Sequence, residues 1–597
     1  MPAQSLFLWR KSSYLRKTLL FIALLLPGLA FAQMADRLMV RFKSLAVRRS
    51  NSILLTEPGT AVWCFLPNGR TISDHADHES VGWVPQEILN RPLSLRDGIG
   101  PYQETVTTSS ALAQNFYNQG VAYLHSYVWI EAARSFHQAL RIDPKMGMAY
   151  VGLSYAYSPM DYVAARAALA QAESLSGGLT ELEQSRIHIR ALQLDAMVDP
   201  ASATKLSAFR QAIDDSLAVH PDDVELLLLR GQAAEPTPFG DGQGCVPSAV
   251  PYYQKALALA PSNFAAHHFL THCYENQGKF AQALEEARVY AQLSPQIPHA
   301  QHMVGHELRC IGRTDEAIDF FLKADALENA YYRRENIPPA MDWHHAHNLS
   351  LLASAYQYEG QLRKAELYFR EEGQLTPFTE YAAFNRKDWP EFLLNRGDFA
   401  RALVASEQMT QSPSPLARAT GHALAAAALV GMHRPEQASA QLEAASTEAQ
   451  TLSKPDANTV SPYLDISQLA ILFARGPMTD AMPVVQRVER YVRAATSADS
   501  WSQGLFRIEL LASLAREHDH WEIAAELSDF MLSVDPYYGG SHYAAAVVAR
   551  HAKDSTTAQQ EFSAAEKYWN HADKEFPELV DTKKALSMLR LEPPETP

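Results

Sequence analysis

The sequence lacks a long basic stripe, and its formal net charge is -15. Nucleic acid is therefore not an expected partner, because phosphate backbones are bound mainly through clustered lysine and arginine. A G-x-S-x-G nucleophile motif, a Walker phosphate-binding loop and an H-E-x-x-H zinc motif are also absent. His306-Glu307 begins the last of these patterns, but Cys310 stands where its second histidine is required. These absences favour a binding protein over an enzyme.

Apolar runs of the length that a membrane-spanning helix requires are missing as well. The run at 19–32 has about 14 residues, whereas a spanning helix needs roughly 20. Basic residues precede this run, which ends in Ala30-Phe31-Ala32, a pattern typical of a secretory signal peptide over residues 1–32. No cysteine follows the exit, so a lipid anchor is not indicated. We expect an exported protein, periplasmic or secreted, with no membrane span after signal cleavage.

Cysteine is scarce, and the chain has four: Cys64, Cys245, Cys273 and Cys310. In an oxidising compartment four cysteines can form two disulfides in three connectivities. Cys273 and Cys310 lie on neighbouring repeats at slightly different repeat positions, so their pairing is one alternative. The other is that the cysteines are small buried apolar residues.

Residues 33–103 show no internal repeat, and we expect them to form a small N-terminal extension. The segments SILLTEPG and AVWCFLPNGRTIS have the composition of short β-strands. Asn68-Gly69 is a favourable signal for the turn of a β-hairpin. Gly98 and Gly100 disfavour a helix in the segment that leads into the remainder of the chain.

The remainder of the chain is repetitive. Residues 263–295 match residues 298–332 at a shift of 34 residues, which places Gly278 on Gly312 and Ala283 on Ala317. Small residues at fixed positions of a 34-residue period are the signature of helix–turn–helix repeats of the tetratricopeptide type. We therefore predict an all-α, right-handed tetratricopeptide-type α-solenoid. Its predicted limits are residues 104–592, with insertions near 235–248 and 332–345 and a loose tail at 593–597.

Histidines are concentrated in the middle of this array. Nine of the 22 lie between residues 267 and 347: His267, His268, His272, His299, His302, His306, His344, His345 and His347. His268 and His272 are four residues apart, so they share a helix face, and the 34-residue shift places them on His302 and His306. Helices packed about 8–10 Å apart can direct both pairs into one space.

Two interpretations of these histidines remain open. Imidazole suits a divalent transition metal such as zinc or copper, and the predicted ligands are His268, His272, His302 and His306. Four histidines would fill a tetrahedral site and favour a structural or carrier role. In the other interpretation the histidines line a polar groove and bond one another, backbone carbonyls and carboxylates. The candidate groove-binding residues are His299, Glu275, Glu307, His347 and Trp343.

These motifs resemble a group of exported bacterial tetratricopeptide-repeat proteins with paired H-x-x-x-H motifs in adjacent repeats. Here His268, His272 and Glu275 form the first motif, H-x-x-x-H-x-x-E. His302 and His306 form the second, H-M-x-x-H-I, with Glu307 in place of the isoleucine. The third motif, H-N-L-H, begins at His347 and has Ser350 in place of its last histidine. The resemblance implies the solenoid fold and export, and it brings no established activity.

The function expected from the sequence is that of a non-enzymatic scaffold. A partner protein or peptide would bind in the concave groove that the first helices of the repeats line. The alternative is a metal-binding protein, or a metal-dependent hydrolase, that uses the histidine cluster.

Overall fold

The computed structural model describes residues 84–159, 161–237, 242–377, 380–494 and 498–589. All of them belong to one unit of the chain, Gly59–Pro597. This part of the chain is helical, and no β-strand forms among the described residues. The predicted all-α fold is confirmed for them. The predicted signal peptide at 1–32, the turn at Asn68-Gly69 and the tail at 593–597 lie outside the described residues.

The first half of the array contains short and medium-length helices. They are α1 Gln86–Leu89, α2 Ala111–Leu124, α3 Trp129–Ile142, α4 Gly147–Tyr157, α5 Tyr162–Leu175, α6 Glu181–Val198, α7 Ala203–Val219, α8 Val224–Gln232, α9 Val250–Leu259, α10 Phe264–Asn276, α11 Phe280–Leu293, α12 Pro298–Cys310, α13 Thr314–Glu335 and α14 Trp343–Tyr358. Short 3₁₀ turns lie at Ser176–Gly178, Pro247–Ala249 and Pro339–Met341.

The second half continues the same arrangement. Its helices are α15 Leu362–Gln374, α16 Glu380–Asn385, α17 Asp388–Asn395, α18 Phe399–Met409, α19 Pro415–Gly431, α20 Pro435–Ala449, α21 Lys454–Arg475, α22 Ala481–Ala494, α23 Ala498–Glu517, α24 Trp521–Val534, α25 Gly539–His551, α26 Ser555–Tyr568 and α27 Pro577–Leu589. A 3₁₀ turn lies at Met478–Asp480. No helix of the described residues combines the length and apolar character that crossing a membrane requires.

Consecutive helices pack as antiparallel hairpins, and each hairpin packs on the next. The hairpins α10/α11, α12/α13 and α14/α15 place their first helices side by side, with α10 against α12 and α12 against α14. The insertion predicted at 332–345 is shorter in the structure. Asn336 ends α13 in a left-handed conformation, and the Asp342 side chain caps α14 by accepting from the His344 amide.

Contacts between distant parts of the chain supplement this stacking. Arg134 on α3 forms an ion pair with Glu335 at the end of α13, at 2.9 Å. The Tyr358 hydroxyl on α14 donates to Asp535 at 2.8 Å, and helix α23 packs against both α12 and α14. These contacts surround the histidine-bearing hairpins with helices that lie more than a hundred residues away in sequence.

One disulfide lies within the described residues, and it joins Cys245 to Cys273. The alternative pairing of Cys273 with Cys310 is wrong, because the sulfur of Cys273 is bonded to that of Cys245 in the loop before α9. The disulfide ties that loop to α10, one residue after His272. Cys64 lies outside the described residues.

Glycines allow the two helices of a hairpin to approach closely. Gly152 on α4 lies against the buried ring of Phe136 on α3, and a Cβ atom at residue 152 would lie 2.4 Å from that ring. A Cβ atom added at Gly177, by contrast, would have no neighbouring atom within 4 Å.

We expect Gly152→Ala to lower the free energy of unfolding by about 1–3 kcal/mol, because an added methyl group overpacks a filled core. Gly177→Ala is the matched control and should change it by less than about 0.5 kcal/mol. Urea denaturation followed by circular dichroism measures both variants. Equal midpoints for the two would contradict the close packing of α3 and α4.

Candidate metal centre

Three successive first helices carry the histidines. The Asn263 side chain caps α10 by accepting from the Ala266 amide, and Pro298 occupies the first turn of α12, where its missing N–H costs no hydrogen bond. Together with the capped α14, this fixes the residue at which each of the three helices begins. Histidines one turn apart on each helix then face the neighbouring helix.

Two groups of three histidines result. The first triad is His268, His272 and His299, and the second triad is His302, His306 and His347. Within each triad, one ring nitrogen from each residue lies within 4.8 Å of the other two. Five of the six residues are buried, and His347 is half-buried.

The nitrogens of the first triad are closer than this limit. The Nε2 atom of His268 lies 3.0 Å from Nε2 of His299 and 3.2 Å from Nε2 of His272. Zinc bound to imidazole at about 2.0–2.1 Å in a tetrahedral arrangement separates two ligand nitrogens by about 3.3–3.4 Å. The distances from Nε2 of His268 to the other two nitrogens of the first triad are therefore close to those of a zinc site.

Hydrogen bonds determine which nitrogen of each ring carries the proton. Nδ1 of His268 donates to the backbone carbonyl of His125 at 2.7 Å, so its Nε2 presents a lone pair. Nδ1 of His272 faces a carboxylate oxygen of Glu275 at 3.6 Å. When the carboxylate holds the proton on this nitrogen, Nε2 of His272 presents a lone pair too. In that tautomer two lone pairs face each other across 3.2 Å. That contact is repulsive unless a cation lies between them.

A proton is not the expected cation. Burial lowers the pKa of His268 well below its usual value, and the neighbouring His272 lowers it further. Burial likewise lowers the pKa of His299 and of His302 well below the usual value. These rings are neutral at pH 7, which is the state in which imidazole binds a metal ion.

The second triad is oriented in the same way. Nδ1 of His302 donates to the side-chain carbonyl of Asn348 at 2.8 Å. The amide nitrogen of Asn348 donates to the Phe321 carbonyl at 3.1 Å, which fixes the orientation of the amide. His302 therefore directs the lone pair of Nε2 into the triad. That atom is buried and has no hydrogen-bond partner.

Glu275 connects the two triads. One of its oxygens accepts from Nδ1 of His306 at 3.2 Å, and the other faces Nδ1 of His272. Burial alone would raise the pKa of this carboxyl group, but the hydrogen bonds from His272 and His306 lower it to about 2. Glu275 is thus an ionised carboxylate that orients one histidine of each triad, as carboxylates do behind metal-bound histidines.

His344 lies between the triads. Its ring centroid is 5.1 Å from that of His299 and 4.7 Å from that of His302. Nδ1 of His344 forms a hydrogen bond with a carboxylate oxygen of Glu328 at 2.5 Å, and the buried Nε2 of the same ring has no hydrogen-bond partner. Glu328 also accepts from His345 at 3.0 Å. This carboxylate belongs to a further cluster with Asp325 and His345.

Aromatic rings enclose the first triad. The Tyr127 ring lies 4.7 Å from that of His268 and 5.1 Å from that of His299. Trp343 donates from Nε1 to the Tyr127 carbonyl at 3.2 Å and stacks on Trp129. Apolar rings around a metal site exclude water and strengthen its electrostatic interactions.

Tyr127 adopts a strained backbone conformation to reach this place. Its φ is 57°, at a hairpin turn where the left-handed residue is a glycine in some repeats, such as Gly278, and a residue with a side chain in others: His433, Asp519 and Lys553. A left-handed conformation costs a residue with a side chain about 1–2 kcal/mol. The ring contacts of Tyr127 with His268 and His299 offset part of this cost.

The structure therefore distributes the predicted metal ligands differently from the expected four-histidine site. His268 and His272 belong to one triad, and His302 and His306 to the other. His299 and His347, predicted as groove residues, each complete a triad, and Glu275 orients ligands of both. Trp343 forms part of the wall. Glu307 is fully buried and its oxygens have no hydrogen-bond partner, so it does not orient a histidine.

Three contributors were missed in the sequence: His344, Glu328 and Tyr127. His344 was among the nine histidines noted between residues 267 and 347, but the sequence did not indicate the direction of its side chain. The repeat pattern did not distinguish Tyr127, because both glycine and residues with side chains occur at this turn position.

Comparisons with known proteins add little. No protein-family model matches the sequence, and no curated protein matches it. Among solved structures, the crystal structure of MamA protein has a TM-score of 0.20 at 16% identity over 37% of this chain and 94% of that one. Yeast Tom70 has a TM-score of 0.29 at 12% identity over 80% of this chain and 96% of that one. At these scores we infer nothing from either similarity.

Proposed function

We propose that this protein binds transition-metal ions, zinc or copper, at the first and second triads. The observation that carries the proposal is the convergence of three buried ring nitrogens: Nε2 of His268 lies 3.2 Å from Nε2 of His272 and 3.0 Å from Nε2 of His299. Neutral imidazoles that converge in this way are ligands of zinc, copper and nickel, whereas magnesium and calcium prefer oxygen.

A purely structural histidine cluster explains the geometry less well. Nε2 of His268 has a single lone pair, so if His299 donated its Nε2 proton to it, Nε2 of His272 would be left without a hydrogen bond to His268. Protonation of His268 would remove the conflict, but burial opposes it. A metal ion satisfies all three nitrogens of the triad at once.

Each triad supplies three histidines to an ion that takes four ligands. A tetrahedral zinc ion then keeps one position for water or another exchangeable ligand. We therefore propose two open three-histidine sites in place of the closed four-histidine site expected from the sequence. This supports reversible binding, as in a metal carrier or store, over a purely structural metal.

Zinc is expected to stabilise the chelator-treated protein against unfolding. An ion that binds only the folded state at a concentration 100 times its Kd stabilises that state by about 2.7 kcal/mol for each site. The thermal unfolding midpoint should therefore rise when zinc is added, and magnesium at the same concentration should leave it unchanged. Equal midpoints with zinc and with magnesium would contradict the proposal.

Binding of a protein or peptide partner is a second candidate function, which the array of stacked hairpins favours. Three of its first helices direct histidines towards one another, so a partner would bind on other hairpins. Affinity purification with the intact protein and with a triad variant tests this. Partners retained by both would support a scaffold that is independent of metal.

The disulfide between Cys245 and Cys273 supports the proposed export, because disulfides persist in oxidising compartments.

A further inference from the structure

A cavity lies beside the first triad, among helices α2, α4, α6 and α8. Its volume is about 200 Å³, and much of its wall is apolar or aromatic. The wall includes Leu124, Met148, Tyr155 and Leu228, while His125 and Tyr127 separate the cavity from the triad. A cavity with an apolar wall and a few polar groups is the usual form of a small-molecule site.

Arg190 gives this cavity a buried positive charge. The residue is 1% exposed and lines the cavity. It donates to the Ser154 hydroxyl at 3.0 Å, the Ser154 carbonyl at 2.8 Å and the Gln193 side chain at 2.6 Å, and it stacks on the Tyr155 ring. These bonds use three of the five N–H groups of a guanidinium.

The partners of Arg190 are all neutral. Within the described residues, no carboxylate forms an ion pair with it. Burial lowers the pKa of Arg190 to about 10, so the side chain still carries its charge at pH 7. Buried charges are normally paired, because removing an ion from water costs several kcal/mol.

The other charged groups of the cavity have partners within the chain. Glu235 also lines the cavity, and its side chain accepts from the Gly242 amide at 2.8 Å. Arg186, one turn before Arg190, pairs with Glu104 and with Asp223. Glu225 pairs with His125 at 3.1 Å. Arg190 therefore differs from Arg186 in one respect that matters for binding, since its counter-charge has still to be supplied.

We propose that the cavity binds a small amphipathic carboxylate. The carboxylate accepts hydrogen bonds from Arg190, and the apolar body of the ligand lies against the aromatic and aliphatic wall. This site is separate from the two triads and does not require a metal ion. Because the cavity and the first triad share the turn at residues 125–128, the test is made with chelator-treated and with zinc-loaded protein.

The test compares three probes with one apolar body: 4-phenylbutyrate, 4-phenylbutanamide and 4-phenylbutylamine. Isothermal titration calorimetry at pH 7 measures their Kd values for the full chain. We expect the carboxylate to bind at least about tenfold more tightly than the amide, because hydrogen bonds to a charged group are stronger. The amine should bind most weakly. This comparison uses the native protein and does not depend on how a variant folds.

Arg190→Met should reduce the preference for the carboxylate over the amide to less than about twofold. Arg166→Met is the matched control, because Arg166 is half-buried, pairs with Asp195 and does not line the cavity. It should keep the native preference. The proposal is overturned if none of the probes binds, if carboxylate and amide bind equally, or if the amine binds best. The same criteria apply with and without zinc. A negative result would therefore overturn the carboxylate proposal without bearing on the metal proposal.

Discussion

The double variant His272→Ala/His306→Ala is expected to bind no zinc at concentrations that fill both sites of the native protein with two equivalents. Each substitution removes one of three imidazoles, and the remaining two hold zinc far more weakly than a complete set does. The single variants should each retain one equivalent. Metal analysis by mass spectrometry, after equilibration with zinc and removal of the unbound ion, measures the stoichiometry.

His267→Ala is the matched control for this experiment. His267 lies on α10 next to His268, but its ring nitrogens face Glu286 at 2.5 Å and the Pro261 carbonyl at 3.3 Å. Its removal should leave both equivalents of zinc in place. Two outcomes would show that the histidines of the two triads are not the zinc ligands. One is a double variant that keeps two equivalents of zinc, and the other is a His267→Ala variant that loses as much zinc as the double variant.

Glu275→Gln is expected to weaken zinc binding at both triads, by about 10–100-fold at each. The carboxylate accepts from Nδ1 of His306 and faces Nδ1 of His272, so one substitution affects one ligand of each site. Glutamine has nearly the same shape but no charge, and it presents one carbonyl oxygen where the carboxylate presented two. Competition with a chromophoric zinc chelator measures the two affinities.

Glu307→Gln provides the comparison for Glu275→Gln. Glu307 lies next to His306 and is equally buried, but its oxygens make no hydrogen bond to a histidine. Burial raises the pKa of this carboxyl group well above its usual value, and the charge of Glu275 raises it further. Its neutralisation should change zinc affinity by less than about threefold. A loss confined to one triad in Glu275→Gln would show that Glu275 does not connect them.

The sequence was sufficient to predict the helical array and the two histidine pairs. A 34-residue period determines which residues share equivalent positions, and a spacing of four determines which share a helix face. His268 with His272 and His302 with His306 follow from these two facts alone. Helix periodicity therefore predicts the faces that carry the site.

The grouping of the histidines could not be predicted in the same way. His299 shares a stripe with His302 on α12, yet its ring reaches across to His268 on α10. Whether a side chain faces its own helix or the neighbouring one depends on its rotamer and on the axial offset of the two helices. Neither can be obtained from spacing. The sequence therefore predicted one group of four histidines where the structure has two groups of three.

The groups that surround the histidines come from distant parts of the chain. The His125 carbonyl and the Tyr127 ring lie more than a hundred residues before His268, and Glu328 belongs to the second helix of another hairpin. Their positions depend on the contacts of α3 with α13, such as the ion pair between Arg134 and Glu335. A repeat pattern contains no information about such contacts, because it describes only neighbouring units.

X-ray diffraction from crystals of the zinc-loaded protein, recorded at the zinc absorption edge, tests the metal centre most directly. Two anomalous peaks are predicted. One should lie among Nε2 of His268, His272 and His299, and the other among ring nitrogens of His302, His306 and His347, each about 2.0–2.1 Å from its ligands. Zinc peaks at other residues, with neither triad occupied, would contradict the proposal.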